Sequence, residues 1–308
     1  MSGQRGLALI MALLVVALTA AIAASFMRSD AVWFKETRNI RLLSQARAVM
    51  DGAFRFAAVE VTKDSSRSQI DALTGRWAQP LPWFPVAGGT VRAALVDPEG
   101  RFNINDLVVA GRPVPAAVTV FTRLLRLVGL DPALAQALIA WELPAGSADA
   151  ELDAVYLGRR TPYRAGQQRL SGMSELRLVL GFSAKSVRAL RPYVTALPQV
   201  TPININTAPA LVLAALCPGL GLRPAGLLAA QAPYTSTAAF QAALPPGSRP
   251  IFRIVVQTHY FLVYATARFG GLVARRRALL YRPARGQTTA ILWQEALWRH
   301  RHTRQTGS

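Results

Sequence analysis

The sequence predicts an α+β fold. A long N-terminal transmembrane α-helix would carry a head with an antiparallel β-sheet and an inserted all-α domain. Three observations predict this fold. First, residues 7–26 are uncharged. Second, the apolar pattern of a helix follows them, and no proline interrupts it. Third, strand patterns at 90–96 and 261–281 lie on either side of a run of helical patterns. The 308 residues are enough for two domains beyond the helix.

Residues 7–26 have the length and composition of a membrane span. Thr19 and Ser25 are the only polar side chains, and at about 1.5 Å per residue the helix would be roughly 30 Å long, as thick as a bilayer's hydrocarbon core. The alternative is a cleaved secretory signal, with Arg5 before the apolar run and Ala21-Ile22-Ala23 as its cleavage site. We favour the span, because the apolar run is longer than in such signals and passes directly into another helical pattern.

The helical pattern continues to about residue 62. Apolar residues recur there at intervals of three and four, as on one face of an α-helix. We expect most of this stripe to pack on the protein's own head, although the pattern does not separate that side from a side that faces partners. The candidate packing residues are Ile40, Leu43, Met50 and Phe54.

Strands are predicted on both sides of the helical run. Residues 90–96 form one strand, and the turn sequence at 97–100 would join it in a hairpin to a strand at 101–104. Alternating apolar residues predict three more half-buried strands at 252–258, 261–269 and 272–281.

The run from 108 to 198 is almost entirely helical in pattern. Helices are predicted at 116–128 and 132–142, and Ser171 and Ser183 are expected to cap two more. This run predicts the inserted all-α domain.

The block at 204–221 supports a rival function. Asn206 or Thr207 is expected to cap a helix at 209–216, and the Pro-Gly-x-Gly turn after it resembles a helix–hairpin–helix nucleic-acid module. Nucleic-acid binding takes several cationic contacts, but Arg223 is the only charged residue from 204 to 248. Nucleic acid is therefore a disfavoured partner.

Composition and motifs argue against an enzyme. The net charge is +19, and the single cysteine, Cys217, excludes an internal disulfide. The sequence contains no G-x-S-x-G, H-E-x-x-H or phosphate-loop motif. Cys217 adjoins a Pro-Gly turn with no histidine nearby in sequence, so we expect a packed thiol and predict no catalytic residues.

The N-terminus resembles that of type IV pilins and pseudopilins. A short leader ends in Gly6, an uncharged helix starts at Leu7, and an amphipathic helix continues it. The resemblance implies that a prepilin peptidase cuts between Gly6 and Leu7 and methylates the new amine. Most members have glutamate at the fifth mature position, which here is Met11. The absence of that glutamate is typical of the K-type minor pseudopilin of type II secretion, general secretion pathway protein K.

Further segments resemble the K-type family in the family's order along nearly the whole chain. They are Asp97-Pro-Glu-Gly-Arg-Phe-Asn-Ile-Asn-Asp106, Trp141-Glu142, Glu151 to Tyr156, Pro162-Tyr-Arg164, Ser174-Glu-Leu176, Ile203-Asn-Ile-Asn-Thr-Ala208 and Thr258-His-Tyr-Phe261.

The resemblance implies a structural role without a required cofactor. The chain would be a minor pseudopilin at the tip of the type II secretion pseudopilus, where it primes fibre assembly and supports protein export across the outer membrane. Implied partners are the I- and J-type minor pseudopilins, other pseudopilins, prepilin peptidase and inner-membrane lipid. The chain would cross the inner membrane once, with a cytoplasmic N-terminus and a periplasmic bulk. The alternatives are a membrane-anchored helix–hairpin–helix DNA-binding protein and a minor pilin of a type IV pilus.

Met11 has a physical interpretation at a fibre tip. An unpaired carboxylate inside a bilayer is costly, and in pilus-like fibres the resemblance implies that the glutamate pairs with the terminal amine of the subunit above. A subunit with nothing above it has no such amine to meet, so an apolar residue is favoured. The simpler interpretation is that methionine is an ordinary apolar residue of a membrane helix.

The resemblance and the patterns together divide the chain into six parts. These are a prepilin leader (1–6), the N-terminal helix (7–62, with the span at 7–26), the first part of a pilin-like head (63–107), the inserted α-helical domain (108–198), the second part of the head (199–295) and a basic tail (296–308).

A loop after the second predicted helix is a candidate calcium site. It contains Glu142, Asp149, Glu151 and Asp153, and calcium takes six to eight oxygen ligands. Calcium sites in this insertion occur within the family. However, neutral residues stand at 140 and 143, where the family's pattern would give carboxylates. The sequence therefore predicts a weak or lost site.

Overall fold

A single helix organises the chain. The computed structural model describes residues 3–79, 81–144, 146, 149–284 and 287–297. Helix α1 (Gly3–Arg67) has 65 residues, and no proline interrupts it. Its segment Ile10–Met27 has a mean hydropathy of 2.5 and is not buried anywhere, and it is the one candidate membrane span among the described residues.

The other elements follow in chain order. The further helices are α2 (Pro115–Leu127), α3 (Leu134–Glu142), α4 (Asp149–Leu157), α5 (Ala184–Leu190), α6 (Ala210–Leu216), α7 (Leu222–Gln231) and α8 (Thr237–Ala243). The strands are β1 (Phe84–Val86), β2 (Gly89–Val96), β3 (Phe102–Asn103), β4 (Val108–Val109), β5 (Arg112–Pro113), β6 (Val194–Thr195), β7 (Ile203–Asn204), β8 (Ile254–Val255), β9 (Tyr260–Phe269), β10 (Leu272–Tyr281) and β11 (Ala290–Ala296).

Five strands form an antiparallel sheet in the order β1-β2-β9-β10-β11. The turn between β9 and β10 consists of Gly270 and Gly271, both with positive φ, a conformation that glycine adopts without steric cost. Strands β2, β9 and β10 confirm the predicted sheet, and the predicted α+β fold class is confirmed with them. Strand β11 was not predicted.

The sheet packs one face on the second half of α1. Because side chains alternate across a strand, every second residue of β2 and β9 points at the helix. Burying a side chain of this size contributes about 1.5–3 kcal/mol, so this core holds the head on the helix. Its fully buried members include Met50, Phe54, Val61, Phe261, Val263 and Leu280.

A second core lies in the helical part of the chain, which we call the helical unit. It runs from Phe102 to Phe240 and includes residues of α2, α3, α5, α6, α7 and α8. Ser183 caps α5 in a capping box with Ser186, as the sequence predicted for Ser183. Packing in this helical unit continues past residue 198.

Three local predictions were wrong. Residues 101–104 do not form a hairpin with β2, because β3 pairs in parallel with β6 instead. Of residues 252–258, only β8 is a strand, and it pairs in parallel with β7 outside the main sheet. The backbone N–H of Ser171 donates to the Glu175 carboxylate, and the helical turn there is a short 3₁₀ turn that begins after Ser174.

The capping prediction for α6 was also wrong. Pro209 occupies the N-cap position of α6 and makes no side-chain cap bond. Asn206 instead holds the backbone of Tyr234, and the Thr207 hydroxyl donates to the Asp97 carboxylate 2.6 Å away. Both side chains therefore bond to groups distant in sequence.

Candidate functional site

The predicted cleavage residues lie near the start of α1. Gly6 and Leu7 both fall within this helix, but their side chains lie outside the described residues. Met11 is 63% exposed on the candidate span. None of the span Ile10–Met27 is buried against the described part of the chain, so its apolar surface needs lipid or neighbouring subunits to cover it.

The four predicted packing residues of α1 fall into two groups. Met50 and Phe54 are fully buried against the sheet. Leu43 is half-buried beside the β9–β10 turn, and Ile40 is 60% exposed. The stripe packs on the head only from about Leu43 onward.

An ion pair joins α1 to the sheet beside Phe54. The Arg276 guanidinium donates to the Asp51 carboxylate, and its Cζ lies 5.6 Å from the centroid of the Phe54 ring. Both charged side chains are partly exposed, so this pair contributes at most about 1 kcal/mol. The apolar contacts, rather than this pair, hold the head on α1.

A buried polar joint connects α1, the sheet and the helical unit. Asp71 lies just after α1, and its carboxylate pairs with the Arg282 guanidinium at the end of β10. The same carboxylate accepts the backbone N–H of Thr258 at 2.8 Å, and Arg282 also donates to the Thr258 carbonyl at 2.6 Å. Charge and hydrogen bonds are thus satisfied together, as a buried ion pair requires.

Asn204 connects this joint to the helical unit. Its side-chain amide donates to the Asp71 carbonyl at 2.9 Å and to the Asp97 carboxylate at 2.8 Å. Asp97 follows β2 and also accepts the hydroxyls of Thr207 and Thr258. Asn204 therefore bonds both to the segment that follows α1 and to the segment that follows β2.

Burial governs the protonation of the two acids in this turn. Asp97 and Glu99 lie close together away from water, and burial raises the pKa of both carboxyls. The pKa of Glu99 rises to about 8, because burial and the nearby Asp97 carboxylate both disfavour its charged form. Glu99 accepts the backbone N–H groups of His259 and Tyr260 at 2.8 and 2.9 Å. The turn thereby fixes the start of β9.

Asn103 and Asn105 join distant segments within the helical unit, as Asn204 does at the buried joint. The Asn105 amide donates to the carbonyls of Leu170 and Leu197, each at 2.9 Å. Asn103 accepts the Leu197 N–H at 3.0 Å and donates to the Gln199 carbonyl at 2.8 Å. No structural role was predicted for Asn103 and Asn105. The signal was the repeated Asn-Ile-Asn at 103–105 and 204–206.

Comparison with known proteins identifies the family. Models of type II secretion system protein K match residues 100–199 and 203–257. The protein K of Pseudomonas aeruginosa is 35% identical over 70% of this chain and 68% of its own length. That of Klebsiella pneumoniae is 31% identical over 92% of this chain and 94% of its own. The chain belongs to the type II secretion system protein K family.

A solved structure shows the same fold. It is the crystal structure of the GspK–GspI–GspJ complex from enterotoxigenic Escherichia coli, and the matched chain has a TM-score of 0.74 and 24% identity. The match covers 86% of this chain and all of that one. The family is a structural minor pseudopilin component of the secretion system, as the resemblance implied.

The structure describes the acids of the candidate calcium loop only in part. No group of three or more His, Cys, Asp or Glu in the described part of the chain could hold a metal ion. Glu151 is exposed, Asp153 lies 3.7 Å from the Arg164 guanidinium, and the side chain of Asp149 is outside the described residues. Calcium stays a prediction, which calorimetry with millimolar Ca²⁺ would test.

Glu142 is a buried acid without a hydrogen-bond partner in the described part of the chain. It is 3% exposed, and the lack of a partner applies to both carboxylate oxygens. Burial raises the pKa of Glu142 to about 8, against a smaller opposing effect of Arg169. The carboxyl is therefore mostly protonated at neutral pH.

Glu142→Gln is expected to make the protein less sensitive to alkali. The unfolded chain releases this proton near pH 4.5 and the folded chain only near pH 8, so the stability from this group is full below pH 4.5 and lost progressively up to pH 8. The amide cannot ionise. The melting temperature of the variant should match that of the wild type near pH 5 and exceed it at pH 8.5. If the two melting temperatures change with pH in the same way across this range, Glu142 does not titrate in it.

The rival nucleic-acid module at 204–221 contains no lysine or arginine. The Arg123 guanidinium donates to the carbonyls of Ala214 and Ala215 at 2.9 and 3.0 Å, so it serves the end of α6. Cys217 is fully buried in the turn, and burial raises the pKa of its thiol to about 11. Leu220 of the glycine turn also packs into the helical unit, while Gly219 and Gly221 are exposed.

Proposed function

We propose that this protein K homologue is the minor pseudopilin at the tip of the type II secretion pseudopilus. There it primes fibre assembly and supports protein export across the outer membrane, and it acts as a structural protein without catalysis. One observation carries the proposal. The 65-residue helix α1 is covered by its own head only in its second half, while the span Ile10–Met27 is entirely unburied.

The inferred partners are the I- and J-type minor pseudopilins. The support is the similar fold of the chain matched in the GspK–GspI–GspJ crystal structure. Co-expression of the full chain with the I- and J-type pseudopilins of its own secretion system tests this inference. A complex that co-purifies through a tag on the J-type subunit is expected. Recovery of this chain alone would contradict the proposal.

The proposed topology is a single inner-membrane pass with the N-terminus in the cytoplasm. Prepilin peptidase would then meet Gly6 and Leu7 on the cytoplasmic side and methylate the new amine. N-terminal mass spectrometry of the mature protein should find methylated Leu7. A mature chain starting near Ala24 would instead show a cleaved signal peptide, and an inactive C-terminal alkaline phosphatase fusion would reverse the topology.

Met11→Glu is expected to impair tip assembly. It places a carboxylate near the start of the span, where the cost of inserting an acid is at most the about 2.5–3.5 kcal/mol of the helix centre, and no amine from a subunit above offsets that cost. Pseudopilus formation and secretion should fall, while Met11→Leu should retain both. Normal assembly of the glutamate variant would count against the tip position.

A further inference from the structure

We propose that the open face of the five-stranded sheet carries a docking site for an acidic segment of a partner protein. The site is built on Arg92, Arg268 and Arg275, which surround Thr266 and which we call the arginine cluster. This inference goes beyond the proposed function, because the site uses the face of the sheet that is turned away from α1.

The arginine cluster lies on the face opposite the core with α1. Ala265 and Ala267 of β9 are buried in that core. Because side chains alternate along a strand, Thr266 and Arg268 point to the other face. A small apolar cluster covers only the far end of that face, near the start of β9. At the near end Arg268 is exposed and Val273 is 45% exposed, so this part of the face is open to a partner.

The strand register brings the three arginines together. Thr266 in β9 lies directly between Arg92 of β2 and Arg275 of β10. Directly opposed residues have Cβ atoms about 4.5–5.5 Å apart. Arg268 follows two residues later in β9 on the same face, about 7 Å from Thr266. Four neighbouring positions therefore place three guanidinium groups around one hydroxyl group.

The arginine cluster has no acid of its own among the described residues. The five strands of the sheet contain five arginines and one acid, Glu295. Glu295 pairs with Arg277, and Arg276 pairs with Asp51 of α1 on the other face. The arginines of the cluster take part in none of the ion pairs between described residues. Their charge is therefore available to the carboxylates of a partner.

Trp83 holds two of the guanidinium groups in place. The Cζ atoms of Arg268 and Arg92 lie 4.2 and 5.0 Å from the centroid of the Trp83 ring. Such cation–π contacts orient the two side chains without neutralising their charge. Like charges this close together in a sheet disfavour folding. A feature that costs stability and is held in a fixed geometry indicates a binding role rather than a structural one.

The position of the arginine cluster favours a protein over a lipid. The β9–β10 turn beside it meets α1 at Leu42, since a Cβ at Gly270 would lie 3.2 Å from the Leu42 Cδ1 atom. The candidate span ends at Met27, and Leu42 lies 15 residues further along α1, or roughly 22 Å at about 1.5 Å per residue. The polar layer of a bilayer is only about 5–8 Å thick on each side. Lipid headgroups therefore do not reach the cluster.

The size and composition of the arginine cluster favour carboxylates over nucleic acid. Nucleic-acid binding takes several cationic contacts along a backbone, and the cluster offers three. All three cations are arginine, whose planar guanidinium group donates two parallel hydrogen bonds to a carboxylate. A short segment with two or three aspartate or glutamate side chains therefore fits the site.

Binding of a fluorescein-labelled oligoglutamate peptide to the detergent-solubilised full chain, followed by fluorescence anisotropy, tests the arginine cluster. The test variant is Arg92→Gln/Arg268→Gln/Arg275→Gln. It should bind at least about tenfold more weakly than the wild type, because three charge-assisted hydrogen-bonding groups are lost. The matched control removes three exposed arginines outside the sheet that form none of the ion pairs between described residues, in the variant Arg112→Gln/Arg188→Gln/Arg223→Gln.

The control loses the same charge and should bind within about threefold of the wild type, because exposed charges far from the site are screened by salt. Equal losses in the two variants would show that the peptide responds to net charge alone, and the proposal would fail. It would also fail if the wild type did not bind the peptide. If phosphatidylglycerol vesicles or a single-stranded oligonucleotide bind instead, and only the test variant loses that binding, the partner is not an acidic protein segment and the assignment is wrong.

Thr266→Glu is a second test, which does not endanger the fold. It places a carboxylate between Arg92 and Arg275, where it would occupy the arginine cluster from within. Peptide binding should weaken at least about tenfold, while the melting temperature of the chain should rise because the like charges are compensated. Unchanged peptide binding in this variant would overturn the site.

Discussion

Arg282→Ala is expected to lower the free energy of unfolding by about 3–5 kcal/mol, the usual effect of breaking a buried ion pair from one side. The Arg282 and Asp71 side chains are 7% and 3% exposed. Removing the guanidinium leaves the Asp71 carboxylate buried without its cation, and the Thr258 carbonyl loses its bond at 2.6 Å. Urea unfolding of the full chain in detergent, followed by tryptophan fluorescence, measures the loss.

Arg277→Ala is the control for this variant. Arg277 also pairs with an acid, Glu295, but the two side chains are 24% and 46% exposed. Water screens such a pair, so the expected loss is at most about 1 kcal/mol. Equal losses in the two variants would show that the buried joint has no special role in stability.

Phe54→Ala is expected to cost about 3–5 kcal/mol and to loosen the head from α1. Phe54 is fully buried between α1 and the sheet, and Arg276 lies over its ring. Truncation leaves a cavity at the centre of the contact that fixes the head to the stalk. Besides lower stability, the variant should show faster proteolysis between the helix and the sheet.

Phe56→Ala gives the opposite pattern two residues further along the same helix. Because Phe56 is 50% exposed and does not belong to the core, its truncation should change the free energy of unfolding by less than about 1 kcal/mol. If Phe56→Ala destabilises the chain as much as Phe54→Ala, the assignment of the two faces of α1 is wrong.

The long elements could be predicted because they follow from local patterns. The proline-free apolar repeat predicted α1, and alternation predicted β2, β9 and β10. The short pairings could not be predicted in this way. Strand β3 turns away from β2 because Asp97 and Gly100 are packed against Thr207, a contact between residues more than a hundred positions apart.

The candidate site was predictable in part for a similar reason. The stripe through Met50 and Phe54 was visible as helical spacing, and these two residues are buried as expected. Spacing alone could not show that Ile40 lies beyond the sheet and stays exposed. Gly52 and Phe56 also lie four apart on α1, but only the tertiary structure shows that the head leaves them exposed.

The Asn204 side chain has a mechanical consequence. It is bonded at once to the segment that leaves α1 and to the segment that leaves β2. A force along α1 is therefore transmitted to the helical unit through these side-chain hydrogen bonds as well as through the backbone. The stalk helix and the helical unit should therefore move as one rigid piece rather than about a free hinge.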